Sequence, residues 1–265
     1  MSWISLSILA AAIWSIVNVL DKLMLTKWSI RPILPVLAMG IIGFITSIGI
    51  FIFHPVAYLP LPLIGLAFIA GFCYFATAYF YFYAVKWEDI SKVIPLLYLT
   101  PLWIAIIAHF FLNEHLRAHQ YMGISLLIAG AIVISTKTFE IPRLNKALLG
   151  AVLSCLFFAF NQVITKYLLQ YTDVLTTFAY IRTSTFLATL PLLLLYSKYF
   201  YRLYQEHGKK PLAIITCNQA LNVMGLFIFV SAASMGYVTL VNALVGVQPF
   251  FVLLLVIAFS YFYPR

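Results

Sequence analysis

LAAAIWSIVNVLDKLML, residues Leu9 to Leu25, has a counterpart 144 residues further along in LSCLFFAFNQVITKYLL, residues Leu153 to Leu169. Each stretch carries a Lys near its end (Lys22, Lys166) with an amide side chain one turn earlier (Asn18, Gln162). A second alignment, at an offset of 148, sets Ala84 to Leu112 against Ala232 to Ser260. It matches Ala84 with Ala232, Val93 with Val241, Leu96 with Leu244 and Pro101 with Pro249. Identities are sparse, but both halves place the same hydrophobic segments in the same order, as an internal duplication does. Within a membrane, a duplicated bundle points to a solute site between the two copies.

Composition puts the chain in the membrane. Hydrophobic residues make up 64% and charged residues 9% of the 265 residues, and the mean hydropathy is +1.04. A soluble domain of that makeup could not cover its surface, whereas lipid solvates apolar outward faces. Spans of roughly 20 residues are expected near 4–24, 32–53, 61–84, 90–112, 119–136, 146–168, 174–196, 211–233 and 237–260. The runs are too long and too uniformly apolar for barrel strands. The first is read as a retained helix, because Met1 to Trp3 lacks the cationic lead of a signal peptide.

The formal charge of +9 does not imply a nucleic-acid partner, because most of the Lys and Arg fall in loops between spans. Most of these loops share one side, with only Arg117 and Lys166 on the other, and Arg182 within a span. The positive-inside bias then places the amino terminus outside, in a multi-pass protein of the cytoplasmic (plasma) membrane. Cys73, Cys155 and Cys217 fall inside predicted helices without a CxxC pair, so neither a disulfide framework nor a zinc site is expected. Ser197 to Lys210 (SKYFYRLYQEHGKK) reads as a basic, Tyr-anchored loop against membrane lipids.

Thr136 to Lys146 joins the halves. Five spans before it and four after it divide the chain into a first repeat (1–137), a linker (138–145) and a second repeat (146–265). An odd number of spans makes the second copy enter the membrane from the opposite side, an inverted topology suited to alternating access.

The run SKVIPLLYLTPLWIAIIAHFFLNE (Ser91 to Glu114), then YMGISLLIAGAIVIS (Tyr121 to Ser135), resembles the closing helices of an EamA-type repeat, with Pro101, Glu114, Gly123 and Gly130 at the matching places. The opening helix with Trp14, Asn18 and Lys22 also fits, and YIRTSTF (Tyr180 to Phe186) resembles the Arg-bearing start of the family's second helix. The resemblance implies the drug/metabolite transporter superfamily: all-α, ten helices in two inverted five-helix repeats, a central cavity, and small metabolites, amino acids, nucleotide sugars or drugs as cargo. Two departures stand out. Pro35 to Ile41 lacks the Arg that would pair with Arg182, and the chain stops at Arg265 before a tenth helix. The expected fold is therefore about nine transmembrane helices, the ten-helix arrangement without its last member.

Ionisable groups at membrane depth are costly and become candidates by default. Arg182 lies about eight residues inside its span and reads either as a cavity or gate residue or as a helix-pairing one. Lys22, Lys92 and Lys166 sit near helix ends, where snorkelling explains them. If several of these cations faced one cavity, the substrate would be anionic. Asn218 and Asn222 with Gly225, and Asn242 with Gly246, Gln248 and Pro249, give two helices a small polar face suited to substrate contact or tight packing. Asn18 and Gln162 pose the same choice, and Trp14 and Tyr74 are the aromatics chosen for the cavity wall. Pro95, Pro101 and Pro249 are expected to kink their spans as hinges. No HExxH, GxSxG or Walker A motif and no intramembrane carboxylate cluster occurs, so neither an enzyme, a metal nor a cofactor is expected. The expected activity is transport of a small polar solute, anionic if those cations converge. Alternatives are a lipid or lipid-linked sugar flippase and a non-transporting scaffold or incomplete transporter.

Overall fold

The computed structural model describes residues 2–27, 30–87, 93, 96–135 and 146–262. Among them every regular element is a helix. They are α1 (Trp3–Lys27), α2 (Ile33–Phe53), α3 (Leu61–Trp87), α4 (Thr100–Leu112), α5 (Ala118–Ser135), α6 (Lys146–Leu168), α7 (Val174–Tyr196), α8 (Lys198–His207), α9 (Lys209–Met235), α10 (Val238–Val245) and α11 (Gln248–Phe262). Among the described residues seven segments are long and apolar enough to cross a membrane: Trp3–Leu25, Ile33–Phe53, Leu61–Lys86, Leu148–Leu168, Val174–Tyr196, Lys209–Met235 and Val238–Ala258. α4 is shorter. Lys92, Pro95 and the linker 138–145 lie outside the described residues.

Successive spans run in alternate directions, which defines two faces. At the face carrying the start of α1, Trp3 packs beside Gly236 and His54 sits 3.2 Å from Asp173. At the opposite face, Arg31 and Arg202 lie over the Tyr199 ring of α8, and Met24, Ile30, Leu34, Leu203 and Ile215 form an apolar cluster beneath it. Ser197 to Lys210, expected as a loop, therefore contains a helix with one buried apolar residue, Leu203, and an otherwise polar and aromatic surface. This is the pattern of a helix lying along an interface.

The most extensive packing joins α3 to α6, α1 to α9 and α2 to α7. Exchanging the two halves of the chain converts the first pair into the second and leaves the third unchanged. Glycines permit the closest approaches. A Cβ at Gly71 would lie 2.5 Å from Ser184 Cβ and 2.6 Å from the Thr185 nitrogen, and one at Gly40 would strike the Thr189 side chain. In hydrocarbon, where no hydrophobic force drives helices together, such close contact supplies the dispersion that does.

The prolines act differently from the expected kink. Pro101 stands in the first turn of α4 and Pro249 in the first turn of α11, each directly after a break in the helix. The breaks share one backbone pattern: Leu99 N donates to Leu96 O and Leu102 N to Leu99 O, while Val247 N donates to Leu244 O and Phe250 N to Val247 O. Each bond in the second set lies 148 residues after its equivalent in the first. Proline has no N–H and is tolerated at the start of a helix, so a restart costs less here than an internal kink. Pro191 does sit inside a helix, α7, and was not singled out from sequence.

Candidate functional site

A cavity of about 230 Å³ occupies the centre of the bundle. This is slightly below the roughly 300–1,000 Å³ of pockets for drug-sized ligands and suits a small solute. Its residues come from the middle and second half of α1 (Trp14, Asn18, Asp21) and α3 (Tyr74, Tyr81), the first half of α2 (Met39), the first half and middle of α6 (Ser154, Phe158) and α9 (Gln219, Asn222), and both helix breaks (Leu97 to Pro101, Asn242 to Gln248). Because the helices alternate in direction, all these positions lie between mid-membrane and the basic face.

Toward the other face the described residues pack closely. Ala10, Ala11, Val163, Phe229, Val230, Ala232, Ala233, Val238 and Val241 form its buried apolar core, and two charged groups fasten the rim. Lys166 Nζ donates to the carbonyls of Ala233 (2.6 Å) and Gly236 (2.9 Å) at the end of α9. The buried Glu114 carboxylate accepts from Val238 N (2.8 Å), Thr239 N (3.3 Å) and Thr239 Oγ1 (2.8 Å). An anion at the N-terminus of α10 and a cation at the C-terminus of α9 both complement the helix dipoles. Lys166 is thus a cap for a neighbouring helix, and the snorkelling expected of it is not what occurs.

Inside the cavity the polar groups are linked. Trp14 Nε1 donates to Asn222 Oδ1 (3.1 Å), and Asn222 Nδ2 donates to the Tyr74 hydroxyl and to Gln219 Oε1 (both 3.3 Å). Gly225 allows this: a Cβ there would stand 2.9 Å from Trp14 Nε1. Asp21, 5% exposed, accepts from Asn218 Nδ2 at 2.7 Å and from the Tyr81 hydroxyl.

Of the residues singled out from sequence, Trp14, Asn18, Tyr74, Asn222, Asn242, Gln248 and Pro101 line the cavity. Asn218 stands behind the lining, holding Asp21. Gln162 is buried with its Nε2 unpartnered among the described residues and does not line the cavity. Arg182, 1% exposed, is also outside the lining. Its guanidinium lies over the Tyr74 ring at 4.1 Å and near Phe178 at 5.4 Å, and its Nε and Nη1 have no acceptor among the described residues. Burial of the stem against Gly43 (3.4 Å to a Cβ there) and cation–π attraction of up to about 2 kcal/mol hold it in place. The missed residues include Asp21, Tyr81, Tyr98, Ser154 and Gln219. Asp21 lies close to the span end expected near residue 24, yet α1 runs on to Lys27, which puts the carboxylate within the span.

The fold and site define a multi-pass helical membrane protein with a polar central cavity. The model of the EamA-like transporter family matches residues 1–136, and the chain belongs to that family, within the drug/metabolite transporter superfamily. A solved crystal structure superposes with a TM-score of 0.74 at 17% identity, over 99% of this chain and 90% of that one, a likeness of fold. No curated protein matches.

Proposed function

We propose that this EamA-like protein transports a small polar organic solute across the cytoplasmic membrane by alternating access between inverted repeats, 1–137 and 146–265. The observation that carries the reading is the asymmetry of the bundle. A polar cavity drawn from both halves reaches toward the basic face, while apolar packing, Glu114 and Lys166 close the other. Two discontinuous spans meet at that cavity with matching backbone breaks, the arrangement in which transporters place their sites. A rocking of the halves would open the closed rim and seal the cavity below it.

The substrate's sign is the one feature on which the sequence reading loses its basis. An anionic solute was expected from cations converging on one cavity. Arg182 lies behind Tyr74, Lys166 is engaged at the rim, Lys22 is exposed, and Lys92 lies outside the described residues.

Solute counterflow in proteoliposomes tests the transport reading. A panel of small metabolites preloaded inside should drive uptake of the labelled compound through the wild type. Substituting Asn222→Ala should abolish the exchange while the protein still folds. Exchange that is indifferent to Asn222, Trp14 and Tyr74 together would exclude this cavity as the route.

A further inference from the structure

We propose that the cavity is built for an organic cation: an amine whose ammonium pairs with Asp21 while its apolar body lies among Trp14, Tyr74, Tyr81, Phe82, Tyr98 and Phe158. This rests on the transporter reading above and names its substrate class.

Charge decides the sign. Among the described residues lining the cavity there is one Asp and no Glu, Lys, Arg or His. A carboxylate in a partly desolvated wall acts through a low dielectric, so its field on a bound solute exceeds what it would exert in water. Two polar side chains hold the carboxyl in place. Asn218 gives Asp21 one N–H, and its own Oδ1 is buried without a donor among the described residues. Tyr81 donates from α3 and has Tyr98 near it in turn. Arg182, buried over the Tyr74 ring at 4.1 Å, is not among the lining residues.

The helix breaks do not reverse this. The carbonyls of Leu97 and Val245, both lining residues, lose their helical i+4 donors because those positions are Pro101 and Pro249. Thr100 Oγ1 recaptures the first at 2.5 Å. The N-termini of α4 and α11 open at the same breaks, so partial charges of both signs meet there and offset each other. The Asp21 carboxyl is the acidic group that remains in the described lining. Aromatic walls suit the rest of an organic cation, since ring faces attract cations as well as apolar surface.

The test uses an isosteric charge series on the full chain: phenethylamine, 2-phenylethanol and 3-phenylpropionate. Binding is measured by isothermal titration in detergent, and movement by counterflow in proteoliposomes. Phenethylamine should bind wild type about tenfold or more tightly than the alcohol, as expected for a hydrogen-bonded charge, with the carboxylate weakest. Asp21→Asn should erase the preference for the amine over the alcohol, and Asp21→Glu should restore part of it. The wild-type series decides the question even if Asp21→Asn fails to fold. Equal binding of amine and alcohol, tighter binding of the carboxylate, or amine selectivity surviving in Asp21→Asn would each overturn the proposal. Counterflow of the alcohol or carboxylate without amine preference would overturn the substrate class and leave transport standing. Wild type that binds and moves none of the three, nor any solute of the metabolite panel, would sink the transporter reading with it.

Discussion

The Arg182 guanidinium stacks on the Tyr74 ring at 4.1 Å, so the residue that sequence marked most strongly as a substrate ligand supports the cavity wall from behind. Its role is positional, and that role separates two variants. Arg182→Met keeps the buried volume, removes a charge with unsatisfied donors, and should hold ligand affinity within about threefold, because replacing a buried ion by a similar-sized apolar group is often neutral. Tyr74→Ala removes the wall itself and the hydroxyl that Asn222 engages, and should weaken binding by roughly tenfold or more. Titration calorimetry on both proteins checks the order of the effects.

Lys166 and Glu114 close the rim from different helices, and each satisfies backbone groups at a helix end. Lys166→Ala would strip the ammonium from the Ala233 and Gly236 carbonyls, and Glu114→Ala would uncap α10. Hydrogen bonds to charged groups contribute about 1.5–3 kcal/mol each, enough to shift a conformational equilibrium by tenfold or more. A cysteine placed at Thr239, buried in the closed rim, should be labelled by a membrane-impermeant maleimide faster in either variant than in a Lys166, Glu114 background. Unchanged labelling would mean that the apolar packing alone holds the rim.

What the sequence disclosed and what it hid divide along physical lines. Helix count and order were legible because twenty-residue apolar runs leave little choice of structure in lipid. Asn18, Asn222, Asn242 and Gln248 were legible because a polar side chain on an apolar helix is costly against lipid; Trp14 and Tyr74 were chosen from many aromatics, of which others such as Phe72 and Tyr79 are exposed. Asp21 was hidden by a boundary: placing the end of α1 near residue 24 made it an interfacial residue, whereas three further helical residues put it in the span. Pro101 and Pro249 were visible, yet whether a proline kinks a helix or restarts one depends on bonds such as Gly246 N to Ala243 O (2.9 Å), which periodicity does not encode. Arg182 shows the opposite error. A buried cation announces cost, and a ring face can meet part of that cost as well as a ligand can.

Glycines offer an internal control on packing. Gly123 and Gly130, which match the family pattern, have no atoms within 4 Å of an added Cβ, whereas at Gly71 the Cβ would meet the backbone nitrogen of Thr185 at 2.6 Å. Gly71→Ala should therefore destabilise by about 1–3 kcal/mol through overpacking of α3 against α7. Gly123→Ala and Gly130→Ala, on α5, should be neutral or stabilising by up to about 1 kcal/mol from helix propensity. Thermal unfolding in one detergent ranks the three, and a Gly71→Ala protein as stable as the other two would refute the close α3–α7 contact.

Asp173 gives the bundle a dependence on pH at its rim. It is the N-cap of α7, accepting from Leu175 N (2.8 Å) and Thr176 N (3.0 Å) through Oδ1 and from Thr176 Oγ1 through Oδ2. Burial pushes its carboxyl upward, but the Thr176 side chain, the Thr176 and Leu175 amides and the nearby His54 outweigh this and hold it below its ordinary 3.8. A depressed folded-state pKa means the ionised form is preferred by the native protein. The stabilisation is complete above the unfolded value near 3.8 and drains away as pH falls through the lower, folded value. The side chain is 47% exposed, so Asp173→Ala should cost about 0.5–1 kcal/mol, the lower part of the range for N-caps. Wild type should lose that margin over the variant on acidification below about pH 4, as the carboxylate takes up its proton. Asp173→Asn, which keeps a capping oxygen without the charge, should recover most of the neutral-pH stability and show no such loss. Parallel melting curves of the three proteins between pH 7 and pH 3 check this, and a gap between wild type and Asp173→Ala that widens in acid would reverse the sign and refute the assignment.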